Sequence, residues 1–327
     1  MKAILPVAGV GSRLKPHTYT IAKALINVGG RPIIAHILEE IKRLGINEAV
    51  LIIGYLGEQI KEYVVKAFPD MKFDFVEQKQ RLGLGHAILL AEPFVGAEPC
   101  LIIYGDTIFI GDFSAAMHET TDGTIGVKQV DDPRRFGVVE LEGSFISRLI
   151  EKPNYVKPMQ AIVGVNFIRN SALMFESIKE LIEKQIMTKG EYQLTDAFQL
   201  MIDKGSKLNT FPMKGWYDCG KPETLLETNR FLLKRSQGHF RSREDCVIIP
   251  PVYIHDSAKL SHSIIGPYAT IDENTIIANS VIKNSLVGKG ADIRNEVLAQ
   301  SLIGDYARVS GRMRVLNVGD SSEVDFK

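Results

Sequence analysis

A chain of 327 residues is too long for one ordinary domain, and its length predicts about two domains. Its 39 lysines and arginines balance its 39 aspartates and glutamates, which excludes a general nucleic-acid or acidic-membrane binder that works through a basic field. The apolar fraction of 45% allows a sizeable core, and three widely spaced cysteines indicate neither a disulfide framework nor a zinc site.

The first segment combines a short strand with a glycine-rich loop. Residues 2–7 predict a buried strand, and Gly9 and Gly11 leave backbone N–H groups free to face an anion. A dinucleotide fingerprint would require a third glycine at Leu14, and a P-loop would require Gly-Lys-Ser/Thr at residues 12–14, so both common templates fail. The segment predicts either a phosphate site of another kind or only a tight turn.

Strand and helix patterns alternate after this loop. Short apolar runs predict strands, and apolar residues at helical spacing predict helices. The predicted strands cover residues 49–53, 73–77, 101–104, 124–129, 137–141, 146–150, 161–168 and 207–211, and the predicted helices cover residues 33–44, 58–68, 172–183, 195–203 and 222–235. This alternation predicts an α/β domain built of βα units on a mostly parallel, mixed sheet.

Chemically capable side chains follow several of the predicted strands. Ligands of open α/β sheets bind at the carboxyl ends of the strands, so residues just past each strand are candidates for a site. These candidates are Gly9, Gly11, Arg13, Gln78, Gly83, Asp106, Glu151, Lys152 and Asp218. Each also has a purely structural interpretation; for example, Gln78 could be an ordinary exposed amide and Asp106 a helix N-cap.

The pattern changes after a polar stretch. Residues 239–250 are interpreted as a linker between a first domain of residues 1–238 and a second domain of residues 251–327. In the second domain apolar residues recur at every fifth or sixth position, namely Ile254, Leu260, Ile265, Ile271, Ile277, Ile282, Val287, Ile293, Leu298, Ile303 and Val309. A parallel β-helix explains this spacing because each short face points one residue inward. The apolar edges of such a short solenoid require a cap or a neighbouring subunit, so we expect a homo-oligomer formed through the β-helix.

The candidate residues suit a reaction between two phosphates. An anionic phosphate ester that attacks the α-phosphorus of a nucleoside triphosphate already carries its charge, so catalysis reduces to positioning and charge stabilisation. Arg13 can bind the triphosphate through its planar guanidinium, while Lys23 and Lys152 serve as point charges for the two substrates. Asp106 and Asp218 suffice for Mg²⁺, which takes one or two protein carboxylates plus substrate phosphates.

The motifs, in this order and spacing, resemble those of the sugar-1-phosphate nucleotidylyltransferases. The loop Gly9-Val-Gly-Ser-Arg-Leu-Lys-Pro-His-Thr18, followed by Lys23, is similar to the signature loop of that family. Further similar motifs are Asp106, Phe136-Gly-Val-Val139, Glu151-Lys-Pro153, residues 191–196 and Trp216-Tyr-Asp-Cys-Gly220. The resemblance covers residues 1–235 and implies a Rossmann-like nucleotidyltransferase domain. The terminal segment is similar to the short left-handed parallel β-helix, made of hexapeptide repeats, of several long-form members.

The resemblance also implies a role for each candidate. Catalysis would fall to Arg13 and Lys23, which bind and activate the triphosphate, and to Lys152, which binds the sugar phosphate. The nucleotide would be bound by Gly9, Gly11, Gln78 and Gly83, the sugar phosphate also by Gly137, Glu151 and Ile162, and Mg²⁺ by Asp106 and Asp218. The implied reaction converts a nucleoside triphosphate and a sugar 1-phosphate reversibly into a nucleotide sugar and pyrophosphate.

The residues near Gln78 favour a pyrimidine nucleotide. Gln78 offers a donor and an acceptor to a pyrimidine edge, and Leu82-Gly-Leu-Gly-His-Ala87 resembles pyrimidine-using members rather than guanylyl members. The tail Gly319-Asp-Ser-Ser-Glu-Val324 resembles long-form glucose-1-phosphate thymidylyltransferases. These resemblances imply dTTP or UTP with glucose 1-phosphate. Thr107 and Asn166 depart from the thymidylyl pattern, so a mannose-1-phosphate guanylyltransferase or an N-acetylglucosamine-1-phosphate uridylyltransferase is the alternative.

Two other functional classes are compatible with parts of the sequence. Hexapeptide β-helices also form acyltransferases, as in bifunctional uridylyl/acetyltransferases, with His255 or His262 as a base. Turn histidines facing solvent are the simpler interpretation, because so few coils leave little room for an acyl-CoA groove. A non-catalytic nucleotide-sugar sensor would not need the full set of phosphate-stabilising residues.

The expected partners are therefore a nucleoside triphosphate and a sugar 1-phosphate, without nucleic acid or membrane. No apolar run approaches about 18 residues, and the chain enters a strand at once, so neither a membrane span nor a signal peptide is expected. The cytoplasm is the expected compartment.

Overall fold

The computed structural model of the chain describes residues 1–111, 114–312 and 317–325. These residues divide into two compact units, Met1–Ile26 with Arg31–Thr228 and Asn27–Gly30 with Asn229–Lys327. The helices are α1 (Ile33–Arg43), α2 (Gly57–Ala67), α3 (Leu84–Leu89), α4 (Glu92–Val95), α5 (Ser114–Met117), α6 (Ser171–Glu183), α7 (Leu194–Asp203) and α8 (Pro222–Ser236). Within the described ranges, no helix has the length and apolar character needed to cross a bilayer.

The strands before residue 220 are β1 (Lys2–Pro6), β2 (Asn27–Val28), β3 (Arg31–Pro32), β4 (Glu48–Ile53), β5 (Lys72–Glu77), β6 (Cys100–Ile103), β7 (Thr107–Ile110), β8 (Gly123–Val130), β9 (Gly137–Glu142), β10 (Phe145–Glu151), β11 (Met159–Ile168), β12 (Leu208–Pro212) and β13 (Gly215–Asp218). Those after it are β14 (Val247–Ile248), β15 (Tyr253–Ile254), β16 (Lys259–Ser261), β17 (Ile264–Ile265), β18 (Thr270–Ile271), β19 (Ile276–Ala278), β20 (Val281–Lys283), β21 (Leu286–Val287), β22 (Asp292–Arg294), β23 (Val297–Ala299), β24 (Leu302–Ile303) and β25 (Arg308–Ser310).

A nine-stranded sheet in the order β5-β4-β1-β6-β11-β8-β12-β10-β9 forms the centre of the first unit. Strands β5, β4, β1 and β6 are parallel, as the βα alternation predicts, because helical crossovers return the chain to the same edge. Antiparallel pairing begins at β11, which pairs with both β6 and β8. The predicted mixed α/β sheet is confirmed, and its parallel half brings the carboxyl ends of four strands to one edge.

Helix α1 shows how the apolar spacing positions this sheet. Its Ile33, Ile34, Ile37, Leu38 and Ile41 are buried on one side, while charged residues occupy the other. The helix ends before Gly45, whose φ of +78° suits the left-handed conformation at a helix end. The predicted start and stop of this helix are therefore confirmed.

A separate two-stranded sheet lies next to the edge where the strands of the parallel half end. Strand β7, which the sequence pattern did not predict, is separated from β6 by a turn containing Asp106. It pairs antiparallel with β13, and the register sets Asp218 opposite Thr107. The Cys219 N–H donates to the Asp106 carbonyl oxygen at 2.9 Å, so the two predicted metal ligands come from neighbouring backbone positions.

The second unit contains the predicted parallel β-helix. Its three faces are the sheets β14-β17-β20-β23, β15-β18-β21-β24 and β16-β19-β22-β25, and all strand pairs in them that are described are parallel. Every predicted inward residue from Ile254 to Val309 lies in one of these strands, consistent with a left-handed β-helix. Residues 239–250 are not simply a linker, since β14 lies within them and Ile248 packs against the β-helix core.

Candidate active site

The loop after β1 brings a lysine to the carboxyl edge of the sheet. Gly11 has a φ of +62°, and a Cβ there would lie 2.8 Å from Thr18 Cγ2 and 3.1 Å from Lys23 Cβ. A side chain at this position would therefore prevent the loop from closing. Buried Thr18 donates its hydroxyl to the Gly11 carbonyl oxygen at 2.9 Å and holds the turn together. The loop thus has an internal reason for its glycine, independent of any ligand.

Lys23 meets the carboxylate that follows β6. Its Nζ lies 2.8 Å from Asp106 Oδ2, and Thr107 Oγ1 donates to Asp106 Oδ1 at 3.3 Å. Burial favours the neutral carboxyl, but the charge and hydrogen bond of Lys23, the Thr107 hydroxyl and the charge of Arg13 together outweigh it, so the pKa of Asp106 is lowered. Asp106 is therefore a carboxylate at neutral pH and is available to a cation.

A cavity of about 350 Å³ opens beside this pair. It is lined by the predicted nucleotide residues Gly9, Gln78 and Gly83, by Lys23 and Asp106, and also by Arg81, Tyr104 and Glu191. Gly9 has open space around its Cα, so its backbone can be approached closely by a ligand. We call this space the first cavity. Gly11, which was predicted to bind the nucleotide, does not belong to its lining.

A second cavity of about 470 Å³ adjoins the first. It is lined by all of the residues predicted to bind the sugar phosphate, namely Gly137, Glu151, Lys152 and Ile162. The predicted catalytic Arg13 and the predicted metal ligand Asp218 also line it. Asp106 and Tyr104 line both cavities. Two substrates placed in the two cavities would therefore meet beside Asp106.

Glu151 is held rigidly in the wall of the second cavity. Thr195 donates its hydroxyl to Glu151 Oε2 at 2.8 Å, and Lys152 Nζ lies 3.4 Å from Oε1. A Cβ on Gly137 would lie 2.7 Å from Thr195 Oγ1 and 2.9 Å from Glu151 Oε2, so glycine allows this hydroxyl–carboxylate pair to pack against the backbone. The Glu151 side chain is only 9% exposed, and it is fixed in place before any ligand arrives.

The side chains of Arg13 and Asp218 both lie beside Gly220, just past the end of β13. A Cβ on Gly220 would lie 2.6 Å from Arg13 Nη2 and 2.7 Å from Asp218 Oδ1. The absent side chain thus leaves room for a guanidinium and a carboxylate at one edge of the second cavity. The motif glycine, which the sequence alone did not explain, has a steric function here.

The two aspartates fit a hard divalent cation. Both aspartates line the second cavity, and carboxylate oxygens are ligands that Mg²⁺ prefers. Among the residues that the structure describes, no group of three or more His, Cys, Asp and Glu side chains could hold a metal ion. Two carboxylates plus substrate phosphates match the usual magnesium site of phosphoryl-transfer enzymes, so the residues present are compatible with that ion.

Several cavity residues were not predicted from the sequence. Tyr104 follows β6, and burial raises the pKa of its hydroxyl, which therefore stays protonated as a potential donor. Trp216 packs edge-on against Phe136 with ring centroids 5.3 Å apart, and its buried Nε1 has no hydrogen-bond partner among the described residues. Thr195 and Trp216 lie in motifs that the sequence singled out, but which atoms face the cavity depends on tertiary packing.

The two cavities adjoin one another and are lined by the lysines, the arginine and the carboxylates that the motifs contain. Comparison with known proteins identifies the family. The sequence pattern of the nucleotidyl transferase family matches residues 2–235, so the chain belongs to that family, and the resemblance seen in its motifs is confirmed.

Two curated relatives illustrate the similarity. The chain is 29% identical over 358 aligned positions to a glucose-1-phosphate thymidylyltransferase of Streptomyces griseus, and the alignment covers 98% of each chain. It is 33% identical over 334 positions to the bifunctional protein GlmU of Methanocaldococcus jannaschii, covering 93% of this chain and 78% of the relative. The similarity to both relatives thus extends beyond the α/β domain.

A solved structure shows the same fold. A UDP-glucose pyrophosphorylase complexed with UDP-glucose matches this chain with a TM-score of 0.64 and 26% sequence identity. The match covers 72% of this chain and 98% of that one. The predicted Rossmann-like nucleotidyltransferase fold is therefore confirmed.

Proposed function

We propose that this chain is a sugar-1-phosphate nucleotidylyltransferase that transfers a nucleotidyl group from dTTP or UTP to glucose 1-phosphate. The observation that carries the proposal is the pair of adjoining cavities with Asp106 in their shared wall. The first cavity has the glycines and the amide expected of a nucleotide site. The second has a lysine and a fixed carboxylate suited to a phosphate and to sugar hydroxyls. The named activities of the relatives support the same reaction class.

The reaction needs no general base from the protein. An oxygen of the sugar phosphate forms a bond to the α-phosphorus. The bond between that phosphorus and the oxygen that bridges the α- and β-phosphorus atoms breaks, and pyrophosphate leaves with that oxygen. Arg13 and Lys23 stabilise negative charge on the triphosphate, and Lys152 holds the sugar phosphate in position. Asp106 and Asp218 would hold Mg²⁺, which supplies further positive charge to the phosphate oxygens when bound.

The direct test is an activity matrix. Purified protein is incubated with each of dTTP, UTP, CTP, ATP and GTP against a panel of sugar 1-phosphates, and pyrophosphate release is measured. We expect dTTP or UTP with glucose 1-phosphate to give the highest kcat/KM. A preference for GTP with mannose 1-phosphate would contradict the proposed substrates, and no release with any pair would revive a binding protein without catalysis.

The hydrogen bond from Thr195 to Glu151 allows a test of the proposed sugar-phosphate site in the second cavity. We expect Thr195→Val to raise the KM for glucose 1-phosphate about fivefold, because Glu151 loses the hydrogen bond that holds Oε2 in place. Thr195→Ser keeps the hydroxyl and should stay near wild type. Steady-state kinetics with each substrate varied separately check this result. Equal effects of valine and serine, or an equal rise in the nucleotide KM, would contradict it.

The β-helix is proposed to serve assembly, and its three faces differ in a way that supports this. On the β14-β17-β20-β23 sheet, an outward column of Val247, Ile264, Val281 and Val297 stacks in register. We call this column the apolar face. Val247 is 57% exposed and Val297 79%. The corresponding column on the β16-β19-β22-β25 sheet contains Lys259, Ile276, Asp292 and Arg308, which suits contact with water.

The third face is already covered. Thr270, which points outward on it, donates to Asn229 Oδ1 at 2.6 Å, and Asn229 Nδ2 donates to the Tyr268 carbonyl oxygen at 3.1 Å. Of the two remaining faces in the described part of the second unit, only the apolar face has an outward column made entirely of apolar side chains. The apolar side chains of this face repeat at the spacing of the strands, so the same face of a second copy has apolar side chains at the same spacing. A stable dimer buries about 800 Å² per partner, so we expect the contact to extend to the flanking exposed residues Ile249 and Ala299.

This proposal predicts a change in mass. We expect the double substitution Val247→Lys with Val297→Lys to lower the oligomer mass in light scattering, because two charges would be buried at the contact. Ile276→Lys on the charged face is the matched control and should leave the mass unchanged. The same mass for all three proteins, or a monomeric wild type, would contradict assembly through the apolar face.

The histidines considered for acyl transfer have local partners. His255 Nδ1 lies 2.8 Å from the hydroxyl oxygen of Ser257, and His262 Nδ1 lies 3.9 Å from Asp245 Oδ2. Ser257, the partner of His255, lies two residues further along the chain in the same turn. We therefore propose no acyl-transfer site for the β-helix.

A further inference from the structure

Gln78 lines the first cavity with its amide held from one side. Its Nε2 lies 3.1 Å from the Gly83 carbonyl oxygen and 3.3 Å from His86 Nδ1. Gly83 has a φ of +111°, and a Cβ there would lie 2.6 Å from the Tyr192 carbonyl oxygen. The Gly83 carbonyl that Gln78 contacts therefore belongs to a tightly packed turn. His86 is in α3 and is not part of the cavity lining.

These contacts fix which end of the amide faces the ligand. A backbone carbonyl oxygen only accepts hydrogen bonds, so the amide group that faces Gly83 must be the NH₂ of Gln78. That group has two N–H donors, and the second can be satisfied by His86 only if Nδ1 carries a lone pair. The imidazole must then be neutral with its proton on Nε2. The Oε1 atom remains as the acceptor that Gln78 offers to a ligand.

We propose that His86 is a positioning residue that, with the Gly83 carbonyl, orients Gln78 so that the first cavity selects a base with a ring N–H. This inference rests on the proposed nucleotidyl transfer and deepens it. Uracil and thymine have an N–H at N3 that can donate to Oε1, whereas cytosine has an acceptor at that position. The lone pair on N3 of cytosine would therefore face the lone pairs of Gln78 Oε1, which is repulsive. We expect CTP to be rejected for this reason.

The environment of His86 keeps the imidazole neutral. Burial lowers the pKa of His86, and no charged neighbour contributes to this shift. Helix α3 packs against α6, α7 and β1. The charged residues of those elements and of the adjoining cavity segments are Lys2, Glu176, Lys179, Glu180, Glu183, Asp196, Asp203, Arg81, Glu191, Lys23 and Asp106. At acid pH, protonation of Nδ1 would replace the acceptor by a donor and release the amide.

The test compares two substitutions of His86 in the full chain. His86→Leu removes the acceptor, and we expect the KM for UTP or dTTP to rise about fivefold to tenfold, the effect of one hydrogen bond. The kcat and the KM for glucose 1-phosphate should stay within about twofold, since the second cavity is untouched. His86→Asn places an amide oxygen near the position of Nδ1 and should keep the nucleotide KM near wild type.

The pH profile separates positioning from a structural effect. Between pH 7.5 and 5.5 the nucleotide KM of the wild type should rise, while that of His86→Asn should not. The ratio of kcat/KM for UTP over CTP should fall in His86→Leu. An unchanged nucleotide KM in His86→Leu, or an equal rise in both substrate KM values, would overturn the proposal.

Calorimetric binding of UTP without sugar phosphate provides a readout that does not depend on turnover. A wild type that binds UTP more tightly than His86→Leu supports the role of His86 even if glucose 1-phosphate is the wrong sugar. Wild type that binds CTP as well as UTP overturns the base selection. Wild type that releases no pyrophosphate with any substrate pair, yet shows the binding difference, overturns the proposed function and not the role of His86.

Discussion

We expect Asp218→Asn to lower Mg²⁺-dependent turnover at least about a hundredfold, because one of the two carboxylates proposed to hold the phosphate-stabilising Mg²⁺ loses its charge. The substitution keeps the size of the side chain and removes one of the three carboxylates that line the second cavity, leaving Asp106 and Glu151. We expect kcat at saturating substrate to fall, and the Mg²⁺ concentration for half-maximal rate to rise. Pyrophosphate release across a Mg²⁺ titration measures both quantities.

The matched control is Asp70→Asn, which changes an exposed carboxylate whose side chain is 77% accessible. It should leave kcat and the Mg²⁺ dependence unchanged. Circular dichroism and the thermal midpoint of both variants should match wild type, which shows that the fold is intact. Near-normal turnover of Asp218→Asn would remove Asp218 from the proposed metal site.

Arg13→Ala is the second substitution with a large expected effect. The guanidinium reaches the second cavity at the position where Gly220 leaves space beside Asp218. Because it would stabilise charge that develops on the triphosphate, its loss should lower kcat/KM about 10²–10³-fold. Arg13→Lys keeps the charge but not the planar two-pronged donor geometry, so we expect it to recover only part of the rate.

Arg43→Lys serves as the control for this pair, since Arg43 is exposed and contacts only Glu40 among the ion pairs described. It should retain wild-type kinetics. If Arg13→Ala kept more than about a tenth of wild-type kcat/KM, Arg13 could not supply the stabilisation expected of a phosphate-binding donor.

The parallel half of the sheet and the β-helix were predictable because each has a simple period. Apolar residues at helical spacing in α1, and the inward residues at every fifth or sixth position from Ile254, determine which side of each element is buried. The candidate site followed from the rule that ligands bind at strand ends. The structure agrees with this rule, because the cavities are lined by Gln78, Asp106 and Asp218, each of which lies at or just past the end of a strand.

Other features depend on contacts between distant segments, which a local pattern does not contain. Strand β7 exists because β13 pairs with it, although more than a hundred residues separate them in the sequence. The hydroxyl of Thr195 reaches Glu151 only after α7 packs near β10. Gly11 has a packing role that the motif alone did not reveal, since it closes the loop against Thr18 and lines neither cavity; its predicted contact with the nucleotide stays a prediction.

In the proposed reaction an oxygen of the sugar phosphate becomes bonded to the α-phosphorus, and isotope labelling tests whether this bond forms. Glucose 1-phosphate with ¹⁸O in its non-bridging phosphate oxygens is converted, and the products are analysed by ³¹P NMR. We predict ¹⁸O in the bridge between the two phosphorus atoms of the nucleotide sugar and none in the released pyrophosphate. Labelled inorganic phosphate, or a nucleotide sugar whose bridge lacks the label, would contradict the mechanism.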